Sequence, residues 1–348
     1  MPNSIAALPG FSQTRIHQAF RSEPLGFADV GSLGGVHPVV LPIATCVHAL
    51  CFEPDPEGCA ELREKYAQPA PFAQVTVQQV ALGAHEQASV PLYVSSTPTN
   101  TSLLPPNPLF IERYHADKFK LSHVSAVRTC TLDSVIAAGS GGPHAGEFLK
   151  LDTQGTEFEI LQGARQTLTD RTVAVLCEVE FFQVYEGQRT LADIVCLLRE
   201  FGLVLYALYP HYRSAGNLDR RHHSTEERLM WADAVFFKDP FDDINRSRRM
   251  ATRQARALIL AAIALRFYDF ALEVVAAYED EPREREALGE VVRVLAAGGR
   301  DRLLEEFKSI GQGEGDDHYL RVCRFVEANR YNNSTEHLWT SLAPRGKS

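Results

Sequence analysis

The sequence predicts an α/β fold with a mostly parallel sheet, helices on both faces, and an α-helical extension at the C-terminal end. Three observations lead there. Phe148, Leu149 and Leu151 form a short apolar run suited to a strand covered on both faces; it ends on Asp152 and passes through Gly155 into a segment with helical spacing. Residues 26–31 read as a second strand that opens into the low-bulk turn Ser32, Leu33, Gly34, Gly35, and residues 50–52 as a third, closed by Glu53. Charged groups therefore collect at the carboxyl ends of strands, where open α/β sheets bind their ligands.

The elements follow in order, with residues 1–24 an N-terminal segment, 25–240 the α/β domain and 241–348 the helical extension. The turn through Gly31, Gly34 and Gly35 presents bare backbone, which lets a ligand approach and meet free amides. About twenty residues later Glu53 occupies the position from which a carboxylate holds two ribose hydroxyls. Asp55 as a cap and Pro56 as the first helical residue then open a helix through Cys59, Leu62 and Tyr66. The order is strand, glycine turn, helical or irregular crossover, strand, acid, helix.

Residues 75–82 read as one further strand and 90–94 as a short additional one. Residues 95–108, rich in Ser, Thr, Asn and Pro, form a loop long enough to cover a ligand, or a plain surface excursion. Thr156 with Glu159 three residues on is a capping-box pattern, and Phe158, Leu161, Ala164 and Leu168 recur at helical spacing, which predicts one helix with Glu159 in a structural role. Glu178 and Glu180 alternate with Val179 on a strand, and one of the two is expected to face solvent. A helix over 191–201 and strands over 203–208 and 231–237 complete the domain. Between those strands, residues 209–228 hold Tyr209, His211, Tyr212, Arg213, Arg220, Arg221, His222 and His223, a loop that either binds a polyhydroxylated acceptor or is simply solvated. Helical patterns then run over 255–272, 288–304 and 319–326, with a loose joint at 311–317; this tail packs on the domain or supports a homo-oligomer.

Composition narrows the class. At 348 residues and 45% hydrophobic content the chain buries one large core and a smaller companion. Its seven cysteines are scattered and lie mostly in apolar elements, which reads as reduced core thiols rather than a disulfide framework. A net charge of −9 argues against a nucleic-acid partner, whose binding needs clustered Lys and Arg. No segment has the roughly 18–20 apolar residues of a membrane span, and the N-terminus does not resemble a signal peptide; a cytoplasmic location is expected. No metal is expected, because His222–His223 sits beside Arg220 and Arg221 and no His-x-x-x-His or Cys-x-x-Cys spacing occurs.

The motifs resemble those of the FkbM-type methyltransferases over approximately residues 25–240. The resemblance is carried by Asp29-Val30-Gly31 with Gly34-Gly35, Phe52-Glu53-Pro54-Asp55, Val80-Ala81-Leu82-Gly83, Asn100-Thr101-Ser102-Leu103 and Thr131-Leu132-Asp133-Ser134. It continues through Lys150-Leu151-Asp152 with Gln154, Gly155 and Glu157, then Glu178-Val179-Glu180 and Trp231-Ala232-Asp233. Leu33 stands where many members have asparagine, and the adjacent glycines are similar to a subgroup with a helical tail. The resemblance implies the class I methyltransferase (Rossmann-like) fold and methyl transfer from S-adenosyl-L-methionine to an oxygen nucleophile, often a hydroxyl on a sugar, glycan or secondary metabolite. It implies cofactor contacts from Asp29, Gly31, Ser32, Gly34, Gly35, Glu53, Ala81 and Asp152, with Glu53 on the ribose and Ala81 bordering adenine. Asp152, Glu157 and Glu178 are the first carboxylates to consider as the base an alcohol needs; His123 and His211 are weaker options. Lys150 either joins that catalytic set or forms a structural ion pair with one of these acids, and Glu157 either works in catalysis or offsets a helix dipole.

Two rival classes are weighed. A nicotinamide-dependent oxidoreductase would also place an acid at Glu53, but its glycines are spaced G-x-G-x-x-G, whereas this turn reads Gly31-Ser32-Leu33-Gly34-Gly35 with Asp29 ahead of it. A non-catalytic S-adenosylmethionine-binding partner in a glycan pathway would keep the fold without turnover.

Overall fold

The structure is a computed structural model that describes residues 5, 8, 10–67, 70–218, 226–246 and 249–310, with side chains as far as 297. The helix expected at 319–326, the joint at 311–317, Arg220, Arg221 and the His222–His223 doublet lie outside the described residues. The strands are β1 (Leu25–Val30), β2 (Val47–Phe52), β3 (Gln74–Gln78), β4 (Ala81–Leu82), β5 (Gln87–Ser95), β6 (Leu121–Cys130), β7 (Phe148–Leu151), β8 (Ala174–Glu180), β9 (Val204–Arg213) and β10 (Arg228–Phe237). Seven of them form the main sheet in the order β3-β2-β1-β7-β8-β10-β9. Pairing is parallel from β3 to β8, while β10 runs antiparallel to both β8 and β9. Counted in chain order within this sheet, the arrangement is 3-2-1-4-5-7-6, the class I methyltransferase topology that the resemblance implies. Strand order reverses between β1 and β7, and a ligand crevice is expected outside the carboxyl ends there.

The chain divides into two compact units. One comprises residues 24–37 and 47–254, the other residues 1–23, 38–46 and 255–348. In the first, β1, β2, β7 and β8 are covered on both faces, so their central residues are apolar and buried. Helix α2 (Pro56–Ala67) begins as the sequence predicts, with Asp55 Oδ2 accepting the Gly58 amide at 2.8 Å. In the second unit, α1 (Arg15–Ser22) is capped by Thr14, whose hydroxyl accepts the His17 amide. The α1 backbone at Ile16 donates to Glu284 at the start of α10 (Pro282–Ile310), and Arg256 of α8 (Thr252–Ala264) makes a two-point pair with Glu279, just after α9 (Tyr268–Tyr278). Among the described residues no helix is long and apolar enough to cross a membrane.

Several local expectations are corrected. Residues 75–82 are not one strand: β3 ends at Gln78, and β4 joins a separate three-stranded sheet in the order β4-β6-β5, whose central strand β6 the sequence reading missed. Most of β6 is exposed, and its apolar residues do not alternate strictly with polar ones as they do in a half-buried strand. The supposed loop from residue 209 begins as strand, since β9 continues to Arg213.

The helix after β7 is two short helices, α5 (Glu157–Gln162) and α6 (Arg165–Asp170), broken at Gly163. Space requires glycine at the break: a Cβ on Gly163 would lie 2.2 Å from the Gly83 carbonyl oxygen. Gly163→Ala should therefore cost on the order of 1–3 kcal/mol through overpacking. Urea denaturation reads this directly, and an unchanged midpoint would show that the two backbones do not meet so closely.

Candidate functional site

The site grows from the ends of β1, β2, β7 and β8. At the end of β1, Asp29 is fully buried; its Oδ2 accepts the His37 amide at 2.6 Å, and its Oδ1 lies 3.5 Å from Lys150 Nζ. That Oδ1 is buried without a hydrogen-bond partner. Lys150 is also buried and donates to the Gly31 carbonyl at 3.0 Å, with Asp152 Oδ2 3.8 Å away. Lys150 therefore pairs with Asp29, a partner outside the pairings the sequence suggests, and lies near Asp152, which is within them.

The backbone is shaped around this cluster. Gly31 has φ +81°, and a Cβ there would stand 2.0 Å from the Asp152 carbonyl, so β1 and β7 leave the sheet in contact. Ser32 is turned inward, bonding the Asp29 and Phe52 carbonyls and accepting the Phe52 amide, which ties the β1 exit to β2. Gly34 faces open space; Gly35 is closed off by Lys65 and Tyr66, whose side chains bond the Gly34 carbonyl and the Val36 amide. Glu53 is buried beyond β2 with Oε1 accepting the Asp55 amide at 2.9 Å. Ala81 is buried in β4, in the smaller sheet.

The acids on the β7 and β8 side have distinct jobs. Glu157, almost fully buried, accepts the Thr153 amide at 2.6 Å and hydroxyl at 3.0 Å and the Gly155 amide at 3.0 Å, so its carboxylate clamps the turn after β7. The capping box predicted from Thr156 and Glu159 does not form: Thr156 bonds Thr153 instead, and Glu157 takes over the role of holding the turn. Gln154, at φ +61°, donates to Asp152 Oδ1 at 3.0 Å and to Glu178 Oε2 at 3.2 Å. The Tyr185 hydroxyl serves Gln154 Oε1 and the Asn100 carbonyl, each at 3.0 Å, and the Ser102 hydroxyl bonds the Gln154 carbonyl at 2.7 Å. The 95–108 loop is therefore fastened to the site. Glu178 and Glu180 lie on one face of β8, two residues apart, so the expectation that one turns to solvent is corrected: Glu178 is half-buried and Glu180 is 3% exposed. Beside Glu180 lies a cleft of about 430 Å³ that is largely apolar through Phe181, Leu191 and Val195.

Acid outnumbers base, and titration follows. Burial raises Asp29 above the usual carboxylate range, only partly offset by Lys150 and the His37 amide. Burial lowers Lys150, but the carboxylates of Asp29 and Asp152 outweigh it and hold the ammonium above its ordinary range. Burial, then the charges of Asp152, Glu180 and Glu157, push Glu178 well up; Glu180 is pushed well up by burial and Glu157. Burial raises Glu53 and Glu157 as well. His37 is held well below its normal value by burial and Lys150, so its ring is neutral.

Two participants escaped the sequence reading: His37 and Tyr185 carry no spacing signal of their own, because their partners lie in other elements, while Gln154 belongs to the motif after β7 but has no role assigned by it. Asp233 of β10 is the register partner of Glu178, and His211 Nε2 stands 3.6 Å from Asp233 Oδ2 while its ring stacks on Trp231. His123, by contrast, is exposed on β6. Among the described residues no group of three or more His, Cys, Asp or Glu is arranged to hold a metal.

Raised acids store a pH dependence. A carboxyl whose folded pKa lies above its unfolded value near 4.5 stabilises the fold fully below that value and loses its contribution as pH rises through the folded pKa. Glu180, with Oε2 buried and unpartnered, is the clearest case. Glu180→Gln should therefore raise stability by about 1 kcal/mol or more at pH 8, and by less at pH 5. Thermal unfolding at the two pH values measures the difference, and an equal or larger gain at pH 5 would contradict this account.

Residues 43–205 match the Methyltransferase FkbM domain family, a span that begins after the glycine turn and includes Glu53, Lys150, Asp152, Glu157, Glu178 and Glu180. No curated protein matches the chain. Among solved structures, a Methyltransferase FkbM from Methylobacillus flagellatus aligns at 14% identity and TM-score 0.35, covering 62% of this chain and 43% of that one. Magnesium protoporphyrin IX methyltransferase from Synechocystis, with bound SAM, aligns at 10% identity and TM-score 0.31, covering 64% and 74%. A tRNA methyltransferase from B. subtilis aligns at 11% identity and TM-score 0.29, covering 81% and 97%. The chain thus spans less than half the length of the first of these structures. Residues 43–205, a little under half of the chain, thus carry a Methyltransferase FkbM domain match within a sheet of class I methyltransferase strand order, and the cofactor that goes with this is S-adenosyl-L-methionine.

Proposed function

We propose that the chain methylates a hydroxyl oxygen on a sugar, glycan or secondary-metabolite acceptor. The observation that carries this reading is the bridge of Gln154 between Asp152 and Glu178, next to the Asp29–Lys150 pair, at the point where strand order reverses. When bound, the cofactor supplies an electrophilic methyl group on a positively charged sulfur. An acid-rich pocket favours such a cation and disfavours the pyrophosphate of a dinucleotide, which separates this reading from the nicotinamide alternative.

In this reading Asp29, with its unpartnered Oδ1, receives a donor from the methionine end of the cofactor, and Glu53 receives the ribose hydroxyls. Gly31 and Gly34 keep the intervening backbone bare, while Ser32 and Gly35 hold the turn in shape; Ala81 borders the adenine. Asp152 and Glu178, joined through one amide, would take the single proton that the acceptor hydroxyl loses as its oxygen gains the methyl carbon and the carbon–sulfur bond breaks to leave a neutral thioether. A carboxylate with a raised pKa is a stronger base than an ordinary one, which suits Glu178 to that task. Glu157 and Lys150 act on geometry: one fixes the turn that carries Gln154, the other balances the acids.

Incubation with labelled S-adenosylmethionine and extracts or sugar intermediates of the native cell, followed by mass spectrometry, should give a product carrying the label on oxygen. A label on nitrogen or carbon would overturn the acceptor class, and no transfer to any acceptor despite cofactor binding would favour a non-catalytic partner. Glu53→Ala should weaken cofactor binding by about 1–3 kcal/mol through lost charged hydrogen bonds. Calorimetry measures that, and tight uptake of a dinucleotide in place of S-adenosylmethionine would refute the cofactor assignment. Asp152→Ala should lower turnover more than cofactor affinity; native turnover in that variant would strike it from the catalytic set.

A further inference from the structure

Arg213 and Arg228 are direct cross-strand partners at the ends of β9 and β10. Like charges placed opposite one another destabilise a sheet unless something compensates them. Among the described residues neither arginine makes an ion pair, in a chain whose net charge is −9. Instead both guanidinium groups rest on one aromatic floor. Arg228 lies 4.2 Å from the ring centroid of Phe182, Arg213 lies 5.8 Å from that of Phe110, and those two rings are 6.4 Å apart. Arg228 Nη1 also donates to the Tyr114 hydroxyl at 3.4 Å, and Tyr114 packs against both phenylalanines. Stacking of this kind holds a guanidinium flat and leaves its N–H edge available for an anion.

The pair also stands at the right end of the sheet. Trp231 is the register partner of Glu180 and Asp233 that of Glu178, so β10 runs from the arginines toward the acid centre. Arg228 and Asp233 are five positions apart, about 16–17 Å at roughly 3.3 Å per strand residue.

We propose that Arg213 and Arg228 form a clamp for a phosphoryl group on the methyl acceptor. Two fixed positive charges call for about two negative ones, which a phosphate carries near neutral pH and a single carboxylate does not. The forked guanidinium edges match its oxygens in pairs. One such clamp on an acidic chain suits a small phosphorylated molecule rather than a polynucleotide, which needs many contacts. The acceptor is then a phosphorylated compound whose methylated hydroxyl lies roughly 15 Å from its phosphorus, a span that follows from the strand rise. The word acceptor rests on the methyl-transfer reading; the anion site itself does not.

The test is calorimetry on the full chain with inorganic phosphate, with acetate as the carboxylate arm and S-adenosylmethionine titrated into the same samples. Native protein should bind phosphate at least about tenfold more tightly than acetate, and R213Q or R228Q should each weaken phosphate binding on the order of tenfold. The double variant should lose it while keeping native affinity for S-adenosylmethionine. R213K and R228K, which retain charge but not the fork, should fall between and guard against a folding defect in the glutamine variants. Phosphate binding that is absent in the native chain, matched by acetate, or unchanged in the double variant overturns the clamp. Failure to bind S-adenosylmethionine in every sample would sink the methyl-transfer reading instead and leave the phosphate result standing.

Discussion

The ammonium of Lys150 joins two strands that are neighbours in the sheet but far apart in the chain. From β7 it reaches the carbonyl of Gly31 and the carboxylate of Asp29 on β1, and it lies close to Asp152 on its own strand. A buried charge is tolerated only with partners, and breaking such a pair is costly because it leaves an uncompensated ion. The turn at Gly31, the position of Asp29 and the exit of Asp152 consequently stand or fall together. This is the point at which the strand order reverses, so the constraint that stabilises the two strand ends acts where a ligand crevice is expected.

Around that cation the acids are graded by what they touch. Glu157 spends its oxygens on backbone amides, whereas Glu178 meets Asp152 only through the amide of Gln154. Similar side chains thus acquire different surroundings, one bound by backbone amides in a turn and the other hydrogen-bonded to a side-chain amide. The loop bearing Asn100 and Ser102 contributes to the same grading by fixing Tyr185 and the backbone of Gln154.

Much of this could be read from residue order because strand ends advertise themselves. The apolar run into Lys150-Leu151-Asp152, the glycine turn after Asp29 and the acid after Phe52 are local patterns, and the sheet places them side by side. The cap at Asp55 was equally legible, since donor and acceptor are three residues apart. What stayed hidden depends on distant contacts. A helical pattern breaks at Gly163, where the Gly83 carbonyl leaves no room for a side chain, and Thr156 gives up its cap because Glu157 satisfies the turn first. The partnership of Tyr185 with Gln154 spans 31 positions and leaves no periodic trace. The exposed face of β6 shows the same limit from another side, for a strand with little to bury has no reason to alternate.

The discontinuity of the helical unit bears on how the protein is made. Its pieces, residues 1–23, 38–46 and 255–348, flank and interrupt the other unit in sequence, so residues synthesised before the sheet belong with residues synthesised after it. Ile16 waits for Glu284 to satisfy its amide, a partner synthesised after the entire sheet. Growth in chain order therefore offers the sheet a chance to assemble first, while the apolar side chains of α1 must remain soluble, or shielded by chaperones, until α10 has been synthesised.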